Sequence, residues 1–161
     1  MRLTIFPVGR MKSGPDAELV TRYADRLAKT GRALGFDFEG LVDIPESRAQ
    51  TAEQRKADEG ERCAALARET STVLILLDER GKSPSSRQFA EKLAEYRDGG
   101  TARIIFALGG PDGHDAGLRD TADMVLSFGN QTWPHQLARI MLCEQLYRAM
   151  TILSGHPYHR D

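Results

Sequence analysis

The 161-residue sequence has only two cysteines, one tryptophan and no charge imbalance: 22 Lys+Arg stand against 23 Asp+Glu, a formal net charge of −1. Cys63 and Cys143 lie far apart, with no Cys or His at metal-ligand spacing. That excludes a disulfide scaffold and a zinc module, and both read as buried free thiols. Near-zero net charge removes any general attraction to nucleic acid, so a polyanion could be held only by a local patch. No apolar run approaches the roughly 20 residues that cross a bilayer. The opening MRLTIFPVGRMK has too short an apolar stretch, and no small-residue cleavage site, for a secretory signal. A cytoplasmic protein without membrane contact is expected. Repeats, low-complexity tracts and linkers are lacking too, and the composition is ordinary, 40% hydrophobic and 28% charged. One domain spanning 1–161 follows.

Apolar runs alternate with helical patterns along the chain. Leu3 to Val8 reads as a strand closed by Gly9, with Pro7 at a strand end or edge because it cannot donate to a ladder. Leu19, Val20, Tyr23 and Leu27 recur at three- and four-residue steps and predict a helix over 16–29. A second strand spans 36–44 and ends at Pro45, and a charged helix follows over 52–69 with a solvated face. Val73-Leu74-Ile75-Leu76-Leu77 is uninterrupted, as in a strand buried on both faces of a parallel sheet. Residues 81–84 read as a loop, and Ser85 or Ser86 caps a helix carrying Phe89, Leu93 and Tyr96, which Gly99-Gly100 stops. Another buried strand covers 103–108, then a short helix 116–121, a short strand 124–126 and a long helix 134–153. This βαβα alternation predicts an α/β fold with a mostly parallel sheet.

The last helix is apolar nearly all round: Leu137, Ile140, Met141, Leu142, Leu146, Tyr147, Met150, Ile152 and Leu153 cover most of its circumference. Such a helix is either central or covered on its outer face by another subunit. Glu144 and Arg148 stand four residues apart, the spacing of ordinary helix support.

Three stretches could carry chemistry. Leu108-Gly109-Gly110-Pro111-Asp112-Gly113 follows a buried strand, where glycine permits close backbone approach to a ligand; it reads equally as a double turn. It is neither a dinucleotide fingerprint nor a P-loop. Phe128-Gly129-Asn130-Gln131-Thr132-Trp133 offers amides, a hydroxyl and a large ring for the edge of a flat heterocycle, or is a capped loop with a core tryptophan. The tail Gly155-His156-Pro157-Tyr158-His159-Arg160-Asp161 is rich in groups that contact phosphate and base. His156 and His159 lack an obvious third metal ligand, so no metal is expected. No Ser-His-Asp, Cys-His or paired-carboxylate arrangement stands out, which fits a reaction with neither a covalent intermediate nor a metal.

Four segments in order, Leu108 to Gly113, Thr132-Trp133-Pro134-His135-Gln136, Glu144-Gln145-Leu146-Tyr147-Arg148-Ala149 and His156 to Arg160, resemble the RlmH-type methyltransferases of the SPOUT superfamily. These bacterial enzymes methylate N3 of a pseudouridine in 23S ribosomal RNA. The resemblance covers the whole chain and implies a single-domain α/β knot, with a trefoil-knotted C-terminal region, acting as a homodimer. It implies S-adenosylmethionine as cofactor, with contacts from Leu77, Gly109 and the loop Phe128, Gly129, Asn130, Gln131, Thr132 and Trp133. The variable stretch His114-Asp115 and the interruption at Pro7 are small departures. The tail's composition suggests that it reaches the cofactor of the other subunit, with His159 or Tyr158 assisting deprotonation of the base and Arg160 holding the base or a phosphate. His135 is a second candidate, equally suited to capping or packing. Arg10, Lys12, Lys82, Arg87 and Arg160 are the expected cations toward RNA, and the substrate is expected to be rRNA within the assembled ribosome. The competing readings are a non-catalytic ribosome-binding factor on the same scaffold and a SPOUT methyltransferase acting on transfer RNA.

Overall fold

The computed structural model describes residues 1–160. Five strands, β1 (Arg2–Pro7), β2 (Asp37–Leu41), β3 (Thr72–Lys82), β4 (Arg103–Leu108) and β5 (Met124–Leu126), form one sheet of order β2-β1-β4-β3-β5. Every pairing is parallel. The helices are α1 (Pro15–Arg32), α2 (Ala52–Ala67), α3 (Ser86–Asp98), α4 (Ala116–Thr121) and α5 (His135–Leu153).

The strand alternation sorts the core into two layers. Leu3, Ile5, Val73, Ile75, Ile104 and Phe106 meet Val20 and Leu27 of α1, Phe89 and Leu93 of α3, and Leu142 and Leu146 of α5. The alternating residues of the same segments, Phe6, Val8, Leu74, Leu76, Ile105 and Ala107, meet Cys63 of α2 and Leu118 of α4 on the other face. All six residues of β4 are buried, as the uninterrupted apolar run requires of a strand covered on both sides. Both cysteines are buried free thiols.

Local signals set the helix ends. Thr51 with Gln54, and Ser85 with Gln88, form reciprocal capping boxes at the starts of α2 and α3. So Ser85 is the cap, while the Ser86 hydroxyl bonds the Gln145 side chain of α5 at 2.9 Å. Helix α5 lies between α1 and α3, which accounts for much of its apolar circumference. Its outward residue Leu137 is still 41% exposed.

Two strands differ from the sequence reading. β2 is shorter than 36–44, because Gly40 takes φ +105 and Val42 turns outward; Ile44 makes only an isolated bridge to Val8. β3 is longer, and Gly81-Lys82 belongs to it rather than to a loop. Leu77 and Lys82 both pair with Leu126, so 78–81 is an excursion beyond the end of β5. Ser127 N–H closes it by donating to Lys82 O at 2.8 Å. A Cβ on Gly81 would stand 2.6 Å from Val125 O, so the crossing admits glycine alone.

Candidate functional site

The carboxyl ends of β3, β4 and β5 open into a cavity of about 360 Å³. Open parallel sheets place ligands in this position, and the volume lies within the range of roughly 300–1,000 Å³ usual for small-molecule sites.

One wall is the glycine turn that follows β4. Gly113 N–H donates to Gly110 O at 2.9 Å, and Gly113 takes φ +81. A Cβ on Gly109 would lie 2.9 Å from the Gly113 carbonyl carbon, so the turn closes only around bare backbone. Arg55 of α2 braces it from outside: Nε and Nη2 donate to the two Asp112 oxygens at 2.7 and 3.1 Å. Those hydrogen bonds hold the Asp112 carboxyl below the usual carboxylate range.

The opposite wall joins the 78–81 excursion to the segment before α5. Thr132 Oγ1 donates to Glu79 Oε2 at 2.9 Å, and Ser127 Oγ lies 2.8 Å from Gly129 O. Asp78 lines the cavity with a side chain only 7% exposed. Burial opposes its ionisation, but hydrogen bonds from the Arg80 N–H and guanidinium, with the charge of Arg119, outweigh it and keep the carboxyl below its ordinary pKa. Leu108, Leu126, Phe128 and Ala138 supply apolar surface, and the Trp133 ring, 39% exposed, stands at the wall. Arg80 takes one Asp78 oxygen and Arg119 the other, so this carboxylate is already paired and fixes the wall; a flat ring beside bare backbone suits a heterocyclic ligand.

His114 joins two strand ends beneath the turn. Its Nε2 lies 3.0 Å from Leu77 O, and the residue is 9% exposed. Burial pushes its imidazole below the ordinary histidine pKa, against the hydrogen bond to Leu77 O and the charge of Asp78.

Of the residues singled out from sequence, Leu77, Gly109, Phe128, Gly129, Gln131, Thr132 and Trp133 line this cavity, with His135 at the start of α5. Asn130 does not line it; it is exposed, with Gly129 before it at φ +111. The tail does not line it either. Tyr158 Oη donates to Glu144 Oε1 at 3.0 Å, its ring centroid is 4.8 Å from that of Tyr147, and Arg148 Nη1 is 3.3 Å from His159 Nδ1. Glu144 and Arg148 therefore do more than support the helix: they seat the tail on α5 of the same chain. Asp78, Glu79, Arg80, Ala138 and His114 were not singled out. An acid straight after a buried strand was the signal for Asp78, whereas His114 showed none. Among the described residues, no three His, Cys, Asp or Glu side chains gather as a metal site, and no helix is long and apolar enough to cross a membrane.

Residues 1–159 match the family profile described as "Predicted SPOUT methyltransferase". The chain is 58% identical over 161 residues, all of both chains, to "Ribosomal RNA large subunit methyltransferase H" of Brucella anthropi. It is 56% identical over 160 residues to the protein of the same name from Mesorhizobium japonicum, covering 99% of each. Among solved structures, a probable methylase family protein from Haemophilus influenzae Rd KW20 superposes with TM-score 0.52 at 15% identity, over 99% of this chain and 70% of that one, a likeness of fold.

Proposed function

We propose, from the premise that this chain belongs to the SPOUT methyltransferase family, that it transfers a methyl group from S-adenosylmethionine to large-subunit ribosomal RNA. The acceptor is N3 of a pseudouridine in 23S rRNA, within assembled ribosomes in the cytoplasm. One observation carries this reading: the glycine turn after β4 and the segment before α5 converge on a single cavity at the sheet's carboxyl edge.

The residues present fit the cofactor. Bare backbone at Gly109 admits a ligand edge, and the Trp133 ring offers a flat face. When bound, S-adenosylmethionine supplies an electrophilic methyl group on a sulfonium. The reaction neutralises that charge and builds no oxyanion, so the protein's main task is alignment. Leu108, Leu126 and Phe128 keep water from the apolar part of the cavity.

Base N3 carries a proton that must leave. The tail of a second copy brings His159, Tyr158 and Arg160 to the cavity, because in its own chain the tail rests on α5 away from it. Burial, then hydrogen bonding with Tyr23 and Glu144, raises the Tyr158 pKa, which suits that phenol to donating a hydrogen bond. His159 is the proton acceptor, and Arg160 holds the base or a phosphate. The outward apolar surface of α5 at Leu137 supports a homodimer. The closure of 78–81 over the end of β5 supports a trefoil-threaded C-terminal region.

The test supplies radiolabelled-methyl S-adenosylmethionine and large ribosomal subunits or ribosomes lacking the modification. The reading expects label at one pseudouridine of 23S rRNA, located by mass spectrometry of nuclease fragments. Cofactor binding without transfer overturns the assigned substrate, and efficient transfer to protein-free RNA overturns the ribosomal context.

A further inference from the structure

Arg139 is a charge in the core. It belongs to α5, is 3% exposed, and among the described residues has no carboxylate within ion-pair distance. Its Nη2 donates to Val8 O at 2.8 Å and also to Gly9 O, while Nε is buried with no hydrogen-bond partner. Burial lowers its pKa, and the charges of Asp43 and Glu46 oppose that effect from the segment after β2. A buried guanidinium carries a desolvation cost that two carbonyls meet only in part, so this is an expensive way to fill core volume.

The grip falls on one short segment. Val8 N–H donates to Leu108 O at 2.9 Å, and Gly9 N–H donates to Ile44 O at 2.8 Å. Gly9 takes φ +86, and a Cβ there would meet Glu46 Oε1 at 3.1 Å and Arg139 Nη2 at 3.6 Å. So Val8-Gly9 is held by β4, by the 44–46 segment and by α5 together. The residues that follow, Arg10 and Lys12, are exposed. The same elements wall the cavity: Leu108 and Gly109 continue β4, and Ala138 precedes Arg139 on α5. The 9–12 stretch therefore leaves the sheet at the edge where the cavity opens, on the side away from 128–133.

We propose that the loop 9–14 is the docking surface for the RNA backbone beside the target base, with Arg10 and Lys12 as its phosphate contacts and Arg139 as its positioning residue. This rests on the rRNA reading above. A chain of net charge −1 has no general pull on a polyanion and must place cations locally. A loop whose root at Val8-Gly9 is fixed in advance by a buried guanidinium leaves the sheet in one direction, which lessens the freedom lost on binding. Arg139 touches neither RNA nor the cavity; it acts through the two carbonyls it holds.

The test compares the full-length protein with R10Q/K12Q on large ribosomal subunits lacking the modification. Each phosphate contact contributes about 0.7–0.9 to the slope of log affinity against log salt. Loss of two should lower that slope by about 1.4–1.8 and weaken subunit binding about 25- to 60-fold at 0.1 M salt. The effect should fall on KM, with kcat and the calorimetric affinity for S-adenosylmethionine unchanged. K29Q/R32Q removes the same charge at the far end of α1 and should change nothing. R139M should raise KM as R10Q/K12Q does, and adding R10Q/K12Q to it should bring little more, because the cations are already unmoored. An unchanged KM and salt slope in R10Q/K12Q, or an equal rise in K29Q/R32Q, overturns the proposal. If R139M fails to fold, R10Q/K12Q still decides the docking surface. Failure of the rRNA reading looks different: the unaltered protein then transfers no methyl group to these subunits.

Discussion

Replacing Gly109 with alanine tests whether the cavity depends on bare backbone. The new Cβ would stand 2.9, 3.0 and 3.2 Å from the carbonyl carbon, oxygen and Cα of Gly113. These are backbone atoms and cannot rotate aside. β4 cannot yield, since its six residues are buried and paired on both sides. The strain must therefore open the turn at 110–113, against the Gly113–Gly110 bond of 2.9 Å and the Arg55 brace on Asp112. Overpacking of this kind costs about 1–3 kcal/mol. If the turn relaxes outward in the free protein, ligand binding must draw it back, and the same cost appears as a 5- to 150-fold weaker Kd, at about 1.4 kcal/mol per tenfold. The portion not relaxed lowers Tm by about 2–4 °C per kcal/mol in a chain of this size. Calorimetry with S-adenosylmethionine reads the first quantity and thermal unfolding the second. G129A is the comparison: Gly129 has φ +111 but nothing within 4 Å of a Cβ, so it suffers backbone strain without collision. Unaltered affinity in G109A, whether or not Tm falls, would refute the argument that this turn packs against the ligand.

Three further outcomes follow from named groups. His114 is held neutral by burial below its ordinary pKa, whereas the unfolded chain takes up that proton near pH 6.5, so the unfolded state binds more protons and stability falls as pH drops below about 6.5; urea unfolding between pH 5 and 8 should show H114Q with a flatter acid limb, and identical limbs would remove His114 as the cause. Burial pushes the thiols of Cys63 and Cys143 up to about 12, so iodoacetamide at pH 8 should label the native protein far more slowly than the urea-unfolded chain; rapid native labelling of both would contradict their packing. Truncation after Gly155 should abolish methyl transfer while calorimetry still detects cofactor binding, and retained transfer would remove the tail from the reaction.

The fold was legible where one element carries its own signal. The unbroken runs at 73–77 and 103–108 announce strands covered on both faces, and a serine at 85 or 86 announces a helix start, which the structure assigns to Ser85. Legibility fails where a partner decides. Gly81-Lys82 reads as a loop by composition, yet β5 recruits it to β3 because only glycine fits against Val125 O. The all-round apolar α5 reads as either central or an interface helix, and only the packing shows that α1 and α3 cover much of it. Within the site, glycine and amide composition marked the two walls. Asp78, Glu79 and Arg80 reach the cavity only because the excursion carries them there, and a single sequence shows no such detour. Arg139 was not singled out from sequence, since nothing in its spacing tells a buried arginine from a solvated one.

Taken alone, the amino-acid order determined the periodicities, the both-face burial of two strands and a glycine-rich junction after β4. These are short-range matters, settled by sterics and burial within a few residues. Strand order, the pairing of Lys82 with Leu126, the convergence of both walls on one cavity and the hold of Arg139 on Val8 and Gly9 were decided by tertiary structure. Each joins residues far apart in sequence, and such contacts form only when the whole sheet has brought its carboxyl ends to a common edge.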